Sequence, residues 1–212
     1  MRHVIWDWNG TLVDDLPVVV AAVNTSLAAI GEGPIDSDRY RDHYTRPVRR
    51  FYDGLLGRPV DEEEWLTIDG TFHRAYVATL HQVPLARDAR AAVDLVATSG
   101  STQSVLSMWW HRDLVPEVER HGLSRYMVRV EGNNGTAGAT KTKLLLSHLE
   151  NLGAGIEPVV IGDATDDARA AQAAGVDVVL FDGGSHHEDE LRSFGVPIAR
   201  SLVEAVTIGL TL

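Results

Sequence analysis

Three apolar runs in the sequence end on a side chain that can do chemistry. Val4-Ile5-Trp6 ends at Asp7, Val105-Leu106 at Ser107, and Val159-Val160-Ile161-Gly162 at Asp163, while Lys141 opens a helical stretch ahead of the last of these. In an open parallel sheet, ligands bind outside the carboxyl ends of the strands, so polar groups at run ends are the first candidates. A lone Asp there is commonly a helix cap or a turn former. The combination has a joint use that caps do not explain. Two carboxylates from neighbouring strand ends can hold Mg²⁺ through oxygen, a lysine can neutralise a phosphate and a nucleophile, and a hydroxyl can donate to a phosphoryl oxygen. Those are the parts that phosphoryl transfer needs.

The elements that must position these groups follow from periodicity. Residues 2–6 read as a buried strand emptying into a Gly-containing loop. From Leu16 to Ile30 apolar residues recur at helical spacing, with Asp14 or Asp15 as cap, Pro17 in the first turn and Gly31 past the end. Three more helices are expected near 36–44, 47–56 and 61–80, separated by Gly33-Pro34, Arg46-Pro47 and Gly57-Arg58-Pro59. After Pro84 the pattern alternates: helix 87–98, strand 103–107, helix 112–121, strand 127–131, helix 141–152, strand 158–162, helix 166–174 and strand 177–181. Strands alternating with helices imply an α/β fold, a Rossmann-like parallel sheet wound by crossover helices. The expected core is then residues 1–14 and 84–212, with an all-helical subdomain, 15–83, inserted after the first strand.

Composition narrows the function classes. The chain of 212 residues, 44% of them hydrophobic, can bury a full core. It has no cysteine, which removes disulfides and thiolate chemistry and leaves oxygen or imidazole for any metal. With 30 acidic against 19 basic residues and a net charge of −11, the summed field repels a polyphosphate backbone, so no nucleic-acid partner is expected. No apolar run approaches the roughly 20 residues of a membrane span, and the start shows no signal-peptide pattern, so a cytoplasmic protein without a membrane partner is expected. A small anionic substrate remains compatible, because a divalent cation and one lysine reverse the potential locally.

Asp7-Trp8-Asn9-Gly10-Thr11-Leu12-Val13-Asp14 resembles the first motif of haloacid-dehalogenase-like (HAD) hydrolases, usually Asp-x-Asp-Gly-Thr-Leu-x-Asp. Gly162-Asp163-Ala164-Thr165-Asp166-Asp167, followed by an Ala-rich helix and Gly175, is similar to the fourth motif, and Ser107 and Lys141 fill the second and third. The resemblance spans the whole chain, including a helical cap between motifs one and two, and is to the phosphoglycolate-phosphatase-like members. It implies a Mg²⁺-dependent hydrolase of a small phosphorylated metabolite, acting as a monomer or homodimer. By position, Asp7 would form an aspartyl-phosphate. The Asn9 carbonyl and Asp163 would join Asp7 in ligating magnesium, with Asp167 holding it through water. Ser107 would orient the phosphoryl group and Lys141 would pair with it and with Asp7; Lys143 is the rival for that role. Thr11, Ser107, Met108, Lys141 and, from the cap, Arg46 would contact substrate.

Asn9 departs from the motif, which normally has an aspartate there as general acid and base. Asparagine can be neither. Two alternatives to the phosphatase stay open for that reason: a weakly turning-over binding or regulatory protein that keeps the fold, and a dehalogenase-type hydrolase. Residues 15–83 contain no lysine, which argues against the Schiff-base route of the family's phosphonatases. His43, His73 and His81 in the cap are candidate proton donors, and Trp109 and Trp110 candidate pocket walls. His186-His187-Glu188-Asp189 is expected to be a solvated loop.

Overall fold

The computed structural model of the chain describes residues 1–135 and 138–212. Backbone contacts divide it into two compact units. One comprises Met1–Asp14, Leu85–Gly184 and Glu188–Leu212; the other comprises Asp15–Pro84 with Ser185–His187.

The first unit is built on a six-stranded, wholly parallel sheet: β1 (Arg2–Trp6), β2 (Thr102–Trp110), β3 (Arg129–Asn133), β4 (Glu157–Gly162), β5 (Asp177–Phe181) and β6 (Ile198–Ala199), in the spatial order β3-β2-β1-β4-β5-β6. Val4 and Ile5, Val105 and Leu106, Val159 to Ile161 and Val178 to Leu180 are buried almost completely. Strands covered on both faces need such unbroken apolar runs, which is why β1, β4 and β5 read clearly in the sequence. The connecting helices are α5 (Ala89–Thr98), α6 (His111–Arg120), α7 (Lys141–Leu152), α8 (Thr165–Ala174), α9 (Glu188–Arg192) and α10 (Leu202–Gly209). Leu145 of α7 and the small Ala168, Ala170 and Ala171 of α8 pack with Ile5, Leu106, Val160 and Leu180 in one core. This is the Rossmann-like α/β architecture that the alternation implied.

Two features differ from the expectation. β2 runs on to Trp110, with an irregularity in its pairing to β3 between Leu106 and Trp110, and enters α6 at His111 without a loop. Trp109 and Trp110 are therefore strand residues. Beyond β5 lie β6 and α10, which carried little signal because a two-residue strand shows no alternation and α10 is mostly apolar around its circumference.

The second unit is helical: α1 (Leu16–Ala29), α2 (Ser37–His43), α3 (Val48–Leu56), α4 (Glu62–Thr79) and a single 3₁₀ turn, Leu80–Gln82. Leu16, Val20, Val23 and Leu27 of α1 meet Tyr40, Phe51, Tyr52, Leu55, Val60 and Ile68 in a core of its own. Asp36 caps α2 by accepting from Arg39 N at 2.8 Å, and Asp61 and Glu64 form a reciprocal capping box at α4. Asp15 occupies the N-cap position of α1, but its side chain does not cap: buried Oδ2 accepts from the Tyr76 hydroxyl at 2.7 Å, tying α1 to α4. The stretch 186–189 is not a solvated loop. His186 is 4% exposed, with its ring 5.1 Å from that of Tyr44, His187 Nε2 lies 3.1 Å from Asp42 Oδ1, and Glu188 opens α9.

Candidate active site

β1 lies between β2 and β4, where the strand order reverses. A parallel sheet opens a crevice at such a switch point, because the loops leaving the two neighbouring strands diverge. Asp7 is the first residue past β1, and its backbone N still donates to Ile161 O of β4 at 2.8 Å. The chain then turns tightly, with Thr11 N and Val13 N both donating to Trp8 O at 3.3 and 3.1 Å. Gly10 is required twice over. Its φ is +72°, and a Cβ there would stand 2.5 Å from Asp163 Oδ2. Gly184, after β5, packs against the same carboxylate, and a Cβ at Gly162 would stand 2.2 Å from Asp167 Cγ.

Those close approaches crowd three carboxylates together: Asp7, Asp163 and Asp167 each offer an oxygen within 4.8 Å of the others. Lys141, at the start of α7 and 6% exposed, reaches into the cluster. Its Nζ donates to Asp7 Oδ1 at 2.6 Å and to Leu106 O at 3.1 Å, and lies 3.0 Å from Asp167 Oδ1. Asp167 Oδ2 accepts from Ala164 N at 3.1 Å, which fixes the carboxylate on the first turn of α8. Asp163 is held by the buried Thr11 hydroxyl, which donates to Oδ1 at 2.8 Å. The Ser107 hydroxyl donates to Asn9 Oδ1 at 3.4 Å and accepts from Trp109 N at 3.1 Å.

Electrostatics decides what this arrangement is suited to hold. Burial pushes the Asp7 carboxyl up to about 6, the Asp167 charge adds to the rise, and Lys141 opposes it. Burial alone would lower Lys141, but the charges of Asp167 and Asp7 outweigh it and hold the ammonium protonated. One lysine faces three carboxylates, so the cluster carries an excess of negative charge away from water, a state that is expensive unless a further cation joins. The donors are all hard oxygens. A divalent cation of the magnesium type fits both the charge and the donor set.

Of the residues singled out in the sequence, Asp7, Asn9, Thr11, Ser107, Lys141, Asp163 and Asp167 converge here, with half-buried Met108 next to Ser107 on β2. Lys143 does not; it is exposed and donates to Gly138 O at 3.1 Å. Arg46, His43, His73 and His81 belong to the helical unit, where Arg46 and His81 are exposed and His73 Nδ1 sits 2.8 Å from Asp69 O. Two contributors were missed by sequence reading: the Leu106 carbonyl, which carries no side-chain signal, and Gly184, for which the Gly183-Gly184 pair after β5 was the available sign.

A switch-point crevice lined by strand-end carboxylates and a buried lysine marks the α/β hydrolytic enzymes that work on anionic groups through oxygen ligands. The chain belongs to the haloacid dehalogenase-like hydrolase family, whose model matches residues 4–181. Among curated relatives it is 26% identical over 194 residues to phosphoglycolate phosphatase 1 of Pseudomonas aeruginosa, covering 88% of this chain and 71% of that protein. It is 23% identical over 223 residues to a phosphoglycolate phosphatase of Vibrio parahaemolyticus, covering 98% and 96%. Among solved structures, a predicted phosphatase from Clostridium acetobutylicum matches with a TM-score of 0.86 at 19% identity, over 100% of this chain and 99% of that one. A haloacid dehalogenase-like hydrolase from Streptococcus pneumoniae matches equally well, with a TM-score of 0.86 at 15% identity and 98% coverage of each chain. No helix among the described residues is long and apolar enough to cross a membrane.

Proposed function

We propose that the protein is a phosphatase that hydrolyses a small phosphate monoester through covalent attack by Asp7. The observation that carries this reading is the Lys141–Asp7 contact at 2.6 Å inside a cluster of three carboxylates, a nucleophile held with its cation at the switch point. The phosphatase names of the curated relatives support it. Asp7, Asp163 and the Asn9 carbonyl would hold Mg²⁺, with Asp167 completing the set; when bound, the ion supplies charge stabilisation for the phosphoryl oxygens.

The chain's own groups divide the remaining work. Asp7 attacks phosphorus as the carboxylate, the P–O bond to the leaving group breaks, and an aspartyl-phosphate forms; water then cleaves the new P–O bond and restores Asp7. Lys141 keeps Asp7 ionised and meets the charge of the incoming phosphate. The Ser107 hydroxyl, whose donation to Asn9 Oδ1 at 3.4 Å is long and weak, turns to a phosphoryl oxygen. Thr11, whose hydroxyl donates to Asp163 Oδ1 at 2.8 Å, steadies that carboxylate. Residues 15–83 act as a cap that selects the substrate, with Arg46 as a cation for its recognition. Asn9 offers no acid or base, so leaving groups that depart without a proton are favoured.

The test is a panel of phosphomonoesters and acyl phosphates assayed with and without Mg²⁺, alongside Asp7→Asn. Mg²⁺-dependent turnover lost in Asp7→Asn is expected. Undiminished turnover in that variant would sink the nucleophile assignment.

A further inference from the structure

A chain of hydrogen-bonded polar groups, buried at its centre, runs through the same unit and is not used by the proposed chemistry. His3 Nδ1 lies 2.7 Å from Thr102 Oγ1 and His3 Nε2 lies 2.8 Å from Ser104 Oγ. The same Ser104 Oγ lies 2.8 Å from His148 Nε2, and His148 Nδ1 lies 2.6 Å from Glu131 Oε2. The other Glu131 oxygen accepts from Arg129 at 2.8 Å and from Asn151 Nδ2 at 2.9 Å. His3, Ser104 and His148 are no more than 1% exposed.

A carboxylate can only accept, and from it a single proton order propagates through the chain. His148 donates Nδ1–H to Glu131, so its Nε2 accepts the Ser104 hydroxyl proton. Ser104 Oγ then accepts from His3 Nε2–H, and His3 Nδ1 accepts from Thr102. Every donor meets an acceptor with both imidazoles neutral. Burial, which depresses both histidines and brings His3 down to about 4, favours that same state.

The chain crosses the elements that carry the site. His3 lies on β1, whose end leads directly into Asp7, Ser104 and Ser107 share β2, and His148 and Lys141 share α7. Lys141, Leu145 and His148 are the three buried residues of α7. Spaced i, i+4 and i+7, they form one stripe about two turns long. Leu145 alone gives non-directional packing, which leaves a helix free to slide or roll slightly. His148 and Asn151 give directional bonds at one end of the stripe, and the Lys141 ammonium must land at the other.

We propose that His148 is a positioning residue: hydrogen-bonded between Ser104 and Glu131, it sets the axial and rotational placement of α7, and thereby the approach of Lys141 Nζ to Asp7. Its relevance to turnover rests on the phosphatase reading above; its effect on Lys141 does not.

The sequence contains two lysines, Lys141 and Lys143, so ¹⁵N-lysine labelling of the full chain gives two side-chain signals, the exposed one serving as internal control. His148→Leu should shift or broaden the Lys141 ammonium resonance and leave Lys143 in place. His148→Gln, whose amide again offers one donor and one acceptor, should return it toward the wild-type position. Leu149→Ala, on α7 but outside the polar chain, should lower Tm while leaving the Lys141 signal unmoved. With a phosphate ester, His148→Leu should lower kcat about 10- to 100-fold, the scale of small misplacements of a catalytic group, with KM nearly unchanged. If His148→Leu does not fold, Ser104→Ala breaks the same chain with little change of volume and carries the comparison. A Lys141 resonance unmoved in these folded variants, or moved equally by Leu149→Ala, overturns the proposal. A wild type inactive on every phosphate ester would instead count against the phosphatase reading, and the resonance comparison would still decide the role of His148.

Discussion

Lys141 Nζ stands 2.6 Å from Asp7 Oδ1, with the two side chains 6% and 12% exposed. An ion pair this dry usually pins both partners in their charged forms. It does so fully for the lysine. For Asp7, burial and the neighbouring Asp167 raise the carboxyl to about 6 and the ammonium only partly offsets them, so that it is ionised at neutral pH against a standing penalty. The carboxylate best placed to attack is thus held in its ionised form at a cost to the fold, as stability is often traded for activity at working sites.

Asp7→Asn should therefore stabilise the metal-free protein. A carboxyl raised from 3.8 to about 6 binds its proton more tightly in the folded state, so folding weakens as pH rises through that interval and the full penalty stands above it. The penalty is roughly 3 kcal/mol by the free energy of such a shift. Urea unfolding should show Asp7→Asn more stable than wild type by about 1–3 kcal/mol near neutral pH, with the gain fading toward about pH 4. A gain that is the same at both ends, or a loss at neutral pH, would contradict the assignment.

His3 pulls the other way. It titrates at about 4 in the fold against 6.5 in the unfolded chain, so the unfolded state takes up the proton first. Its contribution is complete above 6.5 and is lost as pH falls toward 4, a difference of about 3 kcal/mol. In the Asp7→Asn background, where the opposing carboxyl is gone, unfolding free energy should drop between about pH 7 and pH 4.5, and His3→Gln should flatten that drop. An unchanged slope would mean that the chain through Ser104 and His148 tolerates charge.

Gly184→Ala should weaken magnesium binding without unfolding the protein. The added Cβ would fall 2.1 Å from Asp163 Oδ2, far inside contact distance, so the carboxylate must move. Calorimetry should show affinity reduced by about tenfold or more, with Asp163→Ala as the limiting case. Wild-type affinity in Gly184→Ala would remove Asp163 from the ligand set.

Asn9→Asp should raise turnover of an alkyl phosphate by up to the 10²- to 10⁴-fold typical of general acid–base help. Magnesium affinity should change little, since the proposed ligand there is a carbonyl. Mass spectrometry of the peptide carrying Asp7 should find more trapped phosphate in wild type than in Asn9→Asp. Equal turnover in the two would show that another group moves the proton.

Much of this site was legible in the sequence because it is written in runs. A parallel strand buried on both faces must be an unbroken apolar segment, so the end of the run gives the position of Asp7 and Asp163; Ser107 also ends an apolar run, but β2 continues past it to Trp110. The helices at 16–30, 61–80 and 141–152 were equally visible from apolar spacing, Pro and Gly. What one dimension could not give is who faces whom. Lys141 and Lys143 differ by two positions in one helix, about 200° around its axis, and only the tertiary contacts with Asp7 and β2 bury the first while the second stays in water. Asp15 looked like a cap until Tyr76, 61 residues away, claimed its carboxylate. His3, Ser104, Glu131 and His148 lie far apart in the chain and fit no local pattern, because a buried polar group is satisfied by whatever tertiary neighbour can complete its hydrogen bonds. Sequence determined which strand ends carry the candidate groups; the fold decided their partners, since hydrogen bonds and ion pairs act over a few ångströms of space and not along the chain.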